Sequence, residues 1–206
     1  MRPKPYADAP RLPEGESIDP GSLLDTPGLP VELEIGPGRG WFMIERLEAH
    51  ATIGMLGLEI RRKWAAIVDG RLRRRGLSAR ARVYAEDAKQ AMVRLAAGSL
   101  EVIYVHFPDP WWKKRHHKRM VLTPELVQQA ARLLRPGGEL FVQTDVGERA
   151  EAYDRLIREV AAFEPWGGGS RPQIEDNPYG ARSPRERRVL QDGLPVFRLR
   201  YRRSRP

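Results

Sequence analysis

Cysteine is missing from all 206 residues. Its absence excludes disulfides, thiolate metal sites and a cysteine nucleophile together. His116 and His117 are adjacent and have no partners at metal-ligand spacing, so no metal is expected. No apolar run comes near the ~18 residues needed to span a bilayer. The opening Met1-Arg2-Pro3-Lys4-Pro5 leads into no apolar segment of the kind a secretory signal needs. The expectation is a cytoplasmic chain with no membrane partner.

What the chain does have is positive charge. Lys and Arg number 36 against 27 Asp and Glu, a formal net charge of +9. The surplus is clustered. Residues 1–30 hold three basic groups and five acidic ones, whereas residues 61–82 hold nine basic groups against Asp69 alone. Residues 182–206 hold nine more against Glu186 and Asp192. A coding bias toward Arg would raise the total without making two blocks, and blocks point to a polyanion whose counterions are released on contact. For residues 61–75 the competing reading is an ordinary solvated helix face.

Residues 1–30 read as an irregular or partly disordered arm, rich in Pro, Gly and acidic side chains. From Val31 to the C-terminus one domain is expected, in which short apolar runs alternate with helical patterns. Strands are predicted at Val31–Ile35, Thr52–Leu58, Arg80–Tyr84, Leu100–Phe107, Glu139–Thr144 and Pro195–Tyr201. Helices are predicted at Trp41–Glu48, Arg61–Arg75, from Asp87 to about Leu95, from Thr123-Pro124 to near Leu134, and at Glu148–Ala162. In the second of these, Trp64, Ile67, Val68 and Leu72 form the apolar stripe. Trp166 to Pro184 reads as a Gly/Pro-rich connection. The alternation implies an α/β fold, a Rossmann-like doubly wound and mostly parallel sheet whose ligand site lies at the carboxyl ends of the strands.

Glu34-Ile-Gly36-Pro-Gly38-Arg-Gly40 falls at such an end, between a strand and a helix. A dinucleotide fingerprint would place its third glycine where Trp41 stands, and Pro37 removes an amide that a pyrophosphate would use. An NAD-dependent oxidoreductase is therefore disfavoured. The remaining pattern, E-x-G-x-G-x-G, resembles the first motif of class I methyltransferases, whose cofactor S-adenosyl-L-methionine has no phosphate. The plainer alternative is a tight turn with no ligand. Glu59 and Asp87 close the next two strands, where carboxylates suit a ribose diol and an adenine amine. Each alone is as readily a helix cap, but three carboxylates at successive strand ends match a nucleoside bearing a cationic amino-acid tail.

The run His106-Phe-Pro-Asp109-Pro-Trp111-Trp-Lys113-Lys-Arg115-His-His-Lys118-Arg119 resembles the F-P-D-P-W-x-K-x-R-H-x-K-R signature of bacterial tRNA (guanine-N7)-methyltransferases. The likeness extends from Val31 to Glu186 through Gly57-Leu-Glu59-Ile, Glu86-Asp87-Ala and Gln143-Thr144-Asp145. It implies a seven-stranded class I methyltransferase fold, with Glu34, Gly36, Gly38, Gly40, Glu59, Asp87 and Asp109 at the cofactor and Asp109 in the catalytic position. It also implies tRNA as partner, met by Lys113, Arg115, His116, His117, Lys118, Arg119, Asp145, Ser183 and Glu186, with guanine 46 of the variable loop as target. Two departures stand out. The family's T-x-[FY]-E appears as Ser183-Pro184-Arg185-Glu186, and Met120 replaces a further basic residue. Whether the chain is a monomer or a dimer is not readable from the sequence.

Guanine N7 carries a lone pair and no proton, so methylation there needs no general base. A carboxylate aligned with the transfer path stabilises the charge that moves from sulfur to the purine, and Asp109 sits between two backbone-restricting prolines. The donors of guanine's Watson–Crick edge suit either Asp145 or Glu186, while Asp145 also stands where a helix cap would. Trp111 and Trp112 suit base stacking or the core equally. Amino-group methyltransferases for adenine or cytosine use [DN]-P-P-[YFW], whereas Pro110 here is followed directly by Trp111. An RNA-binding relative without catalysis would not need Glu34, Glu59, Asp87 and Asp109 together.

Overall fold

The computed structural model describes residues 6–108 and 120–205. Five strands run parallel: β1 (Val31–Ile35), β2 (Gly54–Leu58), β3 (Ala81–Tyr84), β4 (Leu100–His106) and β5 (Leu134–Thr144). Helices α1 (Trp41–Ala49), α2 (Arg62–Arg74), α3 (Ala88–Arg94), α4 (Pro124–Leu133) and α5 (Gly147–Arg158) connect or follow them. The chain continues through β6 (Phe163–Pro165), β7 (Gln173–Ile174), α6 (Pro184–Gln191) and β8 (Phe197–Arg203). The sheet order is β3-β2-β1-β4-β5-β8-β6, with β8 antiparallel to β5 and β7 paired on β8. Seven strands lie on that path, as expected, and two-residue β7 adds an eighth.

Both faces of the sheet are covered, so its central strands are apolar almost throughout. One core layer packs Leu33, Ile35, Ile103, Val105, Leu140 and Val142 under α3, α4 and α5. The other packs Phe42, Met43 and Leu47 of α1 and Val68 and Leu72 of α2 over Met55, Val83, Tyr104 and Phe141. The order reverses between β1 and β4, which both start from the middle of the sheet, and this makes their carboxyl ends the crevice of the fold. A surface cleft lined by Asp19, Leu29, Ser99 and Arg135 opens at the opposite, amino-terminal ends of the same strands.

Several elements differ from expectation. The buried stripe of α2 is Ala65, Val68, Asp69 and Leu72, while Trp64 and Ile67 are only half-buried. Asp69 is drawn inward because it takes Arg73 at 2.6 Å and the Val83 amide at 3.4 Å. Helix α5 stops at Arg158 rather than Ala162, because Phe163 is claimed by β6 and pairs with Arg203. The connection after Trp166 contains β7 and leads into a helix, α6, capped by Ser183. The arm has one short 3-10 turn at Pro20–Leu23, and Ala9, Leu12 and Leu24 are buried. Arg11 fastens it by donating to both oxygens of Glu86 at 2.8 and 3.0 Å.

Candidate active site

The turn after β1 is built by three glycines with positive φ, Gly36 at 69°, Gly38 at 54° and Gly40 at 73°. Gly40 has a second reason to lack a side chain: a Cβ there would stand 2.2 Å from Val68 Cγ1, so α2 packs directly on the turn. Around Gly36 and Gly38 a Cβ would meet almost nothing. Their backbone is therefore open to a ligand, and the conformation itself demands glycine.

Glu59, at the end of β2, is buried and holds this turn. One carboxylate oxygen accepts from the Gly38 amide at 3.0 Å, the other from the Arg61 amide at 3.0 Å and its Nε at 3.2 Å. A carboxylate offers about four acceptor sites, so capacity for a hydroxyl remains. Asp87 caps α3, accepting from the Lys89 amide at 3.0 Å through Oδ1.

Glu34 is 2% exposed. Its Oε1 lies 2.9 Å from His106 Nδ1, at the end of β4, and its Oε2 has no hydrogen-bond partner among the described residues. His106 Nε2 and both amide atoms of Gln143 are likewise buried without partners. Such atoms cost about 1–3 kcal/mol each when left unmet, and native proteins reserve them for water, ions or ligands. They sit at the carboxyl ends of β1, β4 and β5, beside the glycine turn. A nucleoside with a charged tail fits this donor set: carboxylates for its hydroxyls, amine and ammonium, and open backbone for its body.

Two residues deeper along each strand, on the same face, the polar groups are satisfied. Arg46 of α1 donates to both oxygens of Glu32 at 3.0 and 2.7 Å, and Tyr104 Oη donates to Glu32 at 2.8 Å. Burial is the largest single influence and would lower the Arg46 pKa, but the hydrogen bond to Glu32 and the electrostatics of Tyr104 and Glu32 together outweigh it and hold the guanidinium above its usual value. Phe42, Tyr104, Phe141 and Tyr179 close around this pair in edge-on contacts. The base of the crevice is buried and its polar groups are paired.

Across the crevice, Asp145 follows β5 and forms an ion pair with Arg185 of α6. Ser183 spends its hydroxyl as the α6 cap, accepting from the Glu186 amide at 3.1 Å. Glu186 is 0% exposed and is committed to Arg198 of β8 at 2.9 Å and to Asn177 at 3.0 Å. Of the two carboxylates considered for a guanine edge, Asp145 is half-buried and Glu186 is fully buried. Asp109, Lys113, Arg115, His116, His117, Lys118 and Arg119 lie outside the described residues.

The basic block is only partly self-neutralised. Arg71 and Arg75 lie over the Trp41 ring, each 5.5 Å from its centroid, and Arg39 lies 5.6 Å from Trp64. Arg73 and Arg75 pair with Asp69 and Glu48. Arg200 of β8 stacks 3.8 Å from the Trp166 ring and donates to Glu139 at 2.7 Å. Arg198 is buried against Glu186. That strand face is structural rather than free.

Sheet order, glycine turn and strand-end carboxylates together define a class I S-adenosylmethionine-dependent methyltransferase. The fold is shared with solved structures. The 16S rRNA methyltransferase KamB superposes with a TM-score of 0.60 at 16% identity, covering 93% of this chain and 100% of that one. The N-methyltransferase NodS from Bradyrhizobium japonicum WM9, in complex with S-adenosyl-l-homocysteine, gives 0.56 at 16%, covering 89% and 82%. A family model described as "Putative methyltransferase" matches residues 29–199. The tRNA (guanine-N(7)-)-methyltransferase of Synechococcus sp. (strain JA-3-3Ab) is 37% identical over 172 residues, 83% of this chain and 71% of that protein. The one of Myxococcus xanthus (strain DK1622) is 36% identical, covering 83% and 82%. The chain belongs to the methyltransferase family that includes these enzymes.

Sequence reasoning assigned no role to His106 or Gln143. Single polar residues in apolar strands look like exceptions until register puts them together. The parity of Glu34, Tyr104 and His106 along paired strands was the available signal, since Glu34 pairs with Tyr104 and His106 with Gln143.

Proposed function

We propose that this enzyme transfers a methyl group from S-adenosyl-L-methionine to N7 of guanine in tRNA, at position 46 of the variable loop. The observation that carries this reading is the identity with tRNA (guanine-N(7)-)-methyltransferases over four-fifths of the chain. The buried carboxylate at the end of β1, open on one oxygen beside a glycine turn, supports the cofactor.

The cofactor supplies an electrophilic methyl group on a sulfonium. Glu34 would hold its cationic tail, Glu59 its ribose hydroxyls, and Asp87 its adenine amine. Asp109, in the family's catalytic position, would offset the charge that develops on the purine. No side chain has to remove a proton, because N7 has none. Asp145 accepts from the N1–H and N2–H of the guanine and so leaves the N7 edge facing the cofactor. Lys113 and Arg115 to Arg119 hold phosphates, along with the open cations of α2. A tRNA substrate favours a cytoplasmic location.

The test is to methylate two transcripts of one tRNA, one with guanine 46 and one with adenine there, using labelled cofactor. Label in 7-methylguanosine from the first transcript alone supports the reading. Equal label in both moves the target elsewhere.

A further inference from the structure

We infer that the N-terminal arm is part of the cofactor site: Arg11, acting through Glu86, is a positioning residue that sets Asp87 for the 6-amino group of the adenine. The inference rests on the reading that Asp87 meets that amine.

The arm reaches this place by wrapping the edge of the sheet. β3 is the outermost strand on its side. Ala9 is buried in the core layer of α1 and α2, whereas Leu12 is buried in the opposite layer with Ala88, Ala91 and Met92 of α3. Pro10 and Arg11 therefore cross from one face of the sheet to the other, and they do so at the carboxyl end of β3. There the Pro10 carbonyl accepts at 2.7 Å from the amide of Ala85, the first residue after the strand. Further along the arm, Arg94 donates to the carbonyls of Pro13 and Gly15, and Ile18 bridges to Leu95. A strand edge is covered, and the covering segment is brought beside Asp87.

Glu86 is the joint between them. It is buried and accepts from the arm through both oxygens. One takes Arg11 Nε at 2.8 Å and the Leu12 amide at 3.2 Å, the other Arg11 Nη2 at 3.0 Å. A two-pronged guanidinium fixes the plane of a carboxylate as well as its place. Glu86 is thereby occupied, and its neighbour Asp87 is the carboxylate left for a ligand.

The backbone carries this support to Asp87. The Tyr84 carbonyl accepts from the amides of Glu59 and Glu86, both at 3.0 Å. The carboxylate assigned to the ribose and the turn that bears Asp87 thus hang from one anchor. On its far side Asp87 is held by α3, whose Gln90 and Ala91 amides donate to its carbonyl at 3.0 and 2.9 Å. On its near side the support is Glu86, held by Arg11. A hydrogen bond depends on direction as well as distance. Loosening this turn should weaken the bond to the amine and spare contacts to the rest of the cofactor.

The experiment is calorimetric titration of the full-length protein with S-adenosylhomocysteine and with its analogue bearing hydrogen in place of the 6-amino group. The parent should bind the first at least about tenfold tighter, the worth of a hydrogen bond to a charged group. In Arg11→Ala, S-adenosylhomocysteine binding should weaken about tenfold while the analogue stays within about twofold of the parent, so that the preference disappears. Arg11→Lys, which restores the charge and one of the two prongs, should recover part of it. Equal weakening of both ligands in Arg11→Ala would overturn the inference and leave the arm a packing element. An unchanged preference would overturn it too. A parent protein that binds both ligands equally well would sink the reading of Asp87 and this inference with it. If the parent binds neither, the cofactor reading itself has failed and the inference falls with that.

Discussion

Arg185 in α6 closes an ion pair onto Asp145 at the end of β5, two residues 40 positions apart in the chain. The family motif places an aromatic where Arg185 stands. The pair thus puts a cation beside the carboxylate assigned to the guanine edge. Asp145→Asn should lower kcat/KM for tRNA about 10- to 100-fold, the cost of pairing guanine donors with an amide instead of a charge. S-adenosylhomocysteine affinity should not change. Arg185→Ala should cost less than about 1 kcal/mol of stability, as an exposed pair does, while altering KM for tRNA. Steady-state kinetics with calorimetry separates these effects. Equal kinetics in Asp145→Asn would leave Asp145 as a helix-entry residue only.

Glu186 answers differently. Its removal strands Arg198 inside the protein, and breaking a buried pair costs about 3–5 kcal/mol. Glu186→Ala should therefore lower stability in urea by that amount. A change below about 1 kcal/mol, with loss of tRNA binding alone, would return Glu186 to the substrate.

Much of this was legible in the sequence, and the exceptions share a cause. The turn at Gly36–Gly40 and the carboxylates at strand ends are local patterns, because glycine spacing and strand length sit within a few residues of each other. Asp69 falls outside the apolar stripe predicted for α2, and its burial depends in part on the Val83 amide of a neighbouring strand, 14 positions on. Helix α6 was hidden for a similar reason, since the Glu186–Arg198 pair that anchors it is a tertiary contact on a polar surface helix. The open acceptors of Glu34, His106 and Gln143 depend on strand register, which no single segment encodes.

Alkaline stability offers an independent check of the buried crevice floor. Tyr104 and Tyr179 are held well above the ordinary phenol range, by burial first and then by the facing Glu32 and Glu139. Raised folded values mean that the stability they contribute is complete below about pH 10, where unfolded tyrosine titrates. Above that, the unfolded state releases protons first and stability falls, by about 1.4 kcal/mol per pH unit for each tyrosine. Urea midpoints from pH 8 to 11 should decline beyond pH 10, less steeply in Tyr179→Phe. Identical slopes would mean that Tyr179 ionises freely in the fold.

Salt reports on the RNA face. If Lys114, Arg115 and Lys118 meet phosphates, replacing all three by Ala should flatten the log–log dependence of tRNA affinity on salt. Each lost contact removes about 0.7–0.9 from the slope. A triple variant with the parent slope would turn this segment away from the RNA.

The central claim is methyl transfer to an unprotonated ring nitrogen, assisted by Asp109. Its most direct test is single-turnover methylation of one tRNA transcript at saturating cofactor, from pH 6 to 9, with the product identified as a nucleoside. The account predicts 7-methylguanosine at a rate nearly independent of pH, falling about 10²- to 10³-fold in Asp109→Asn. A rate that climbs tenfold per pH unit through neutrality, a product methylated on an amino group, or an Asp109→Asn variant as fast as the parent would contradict it.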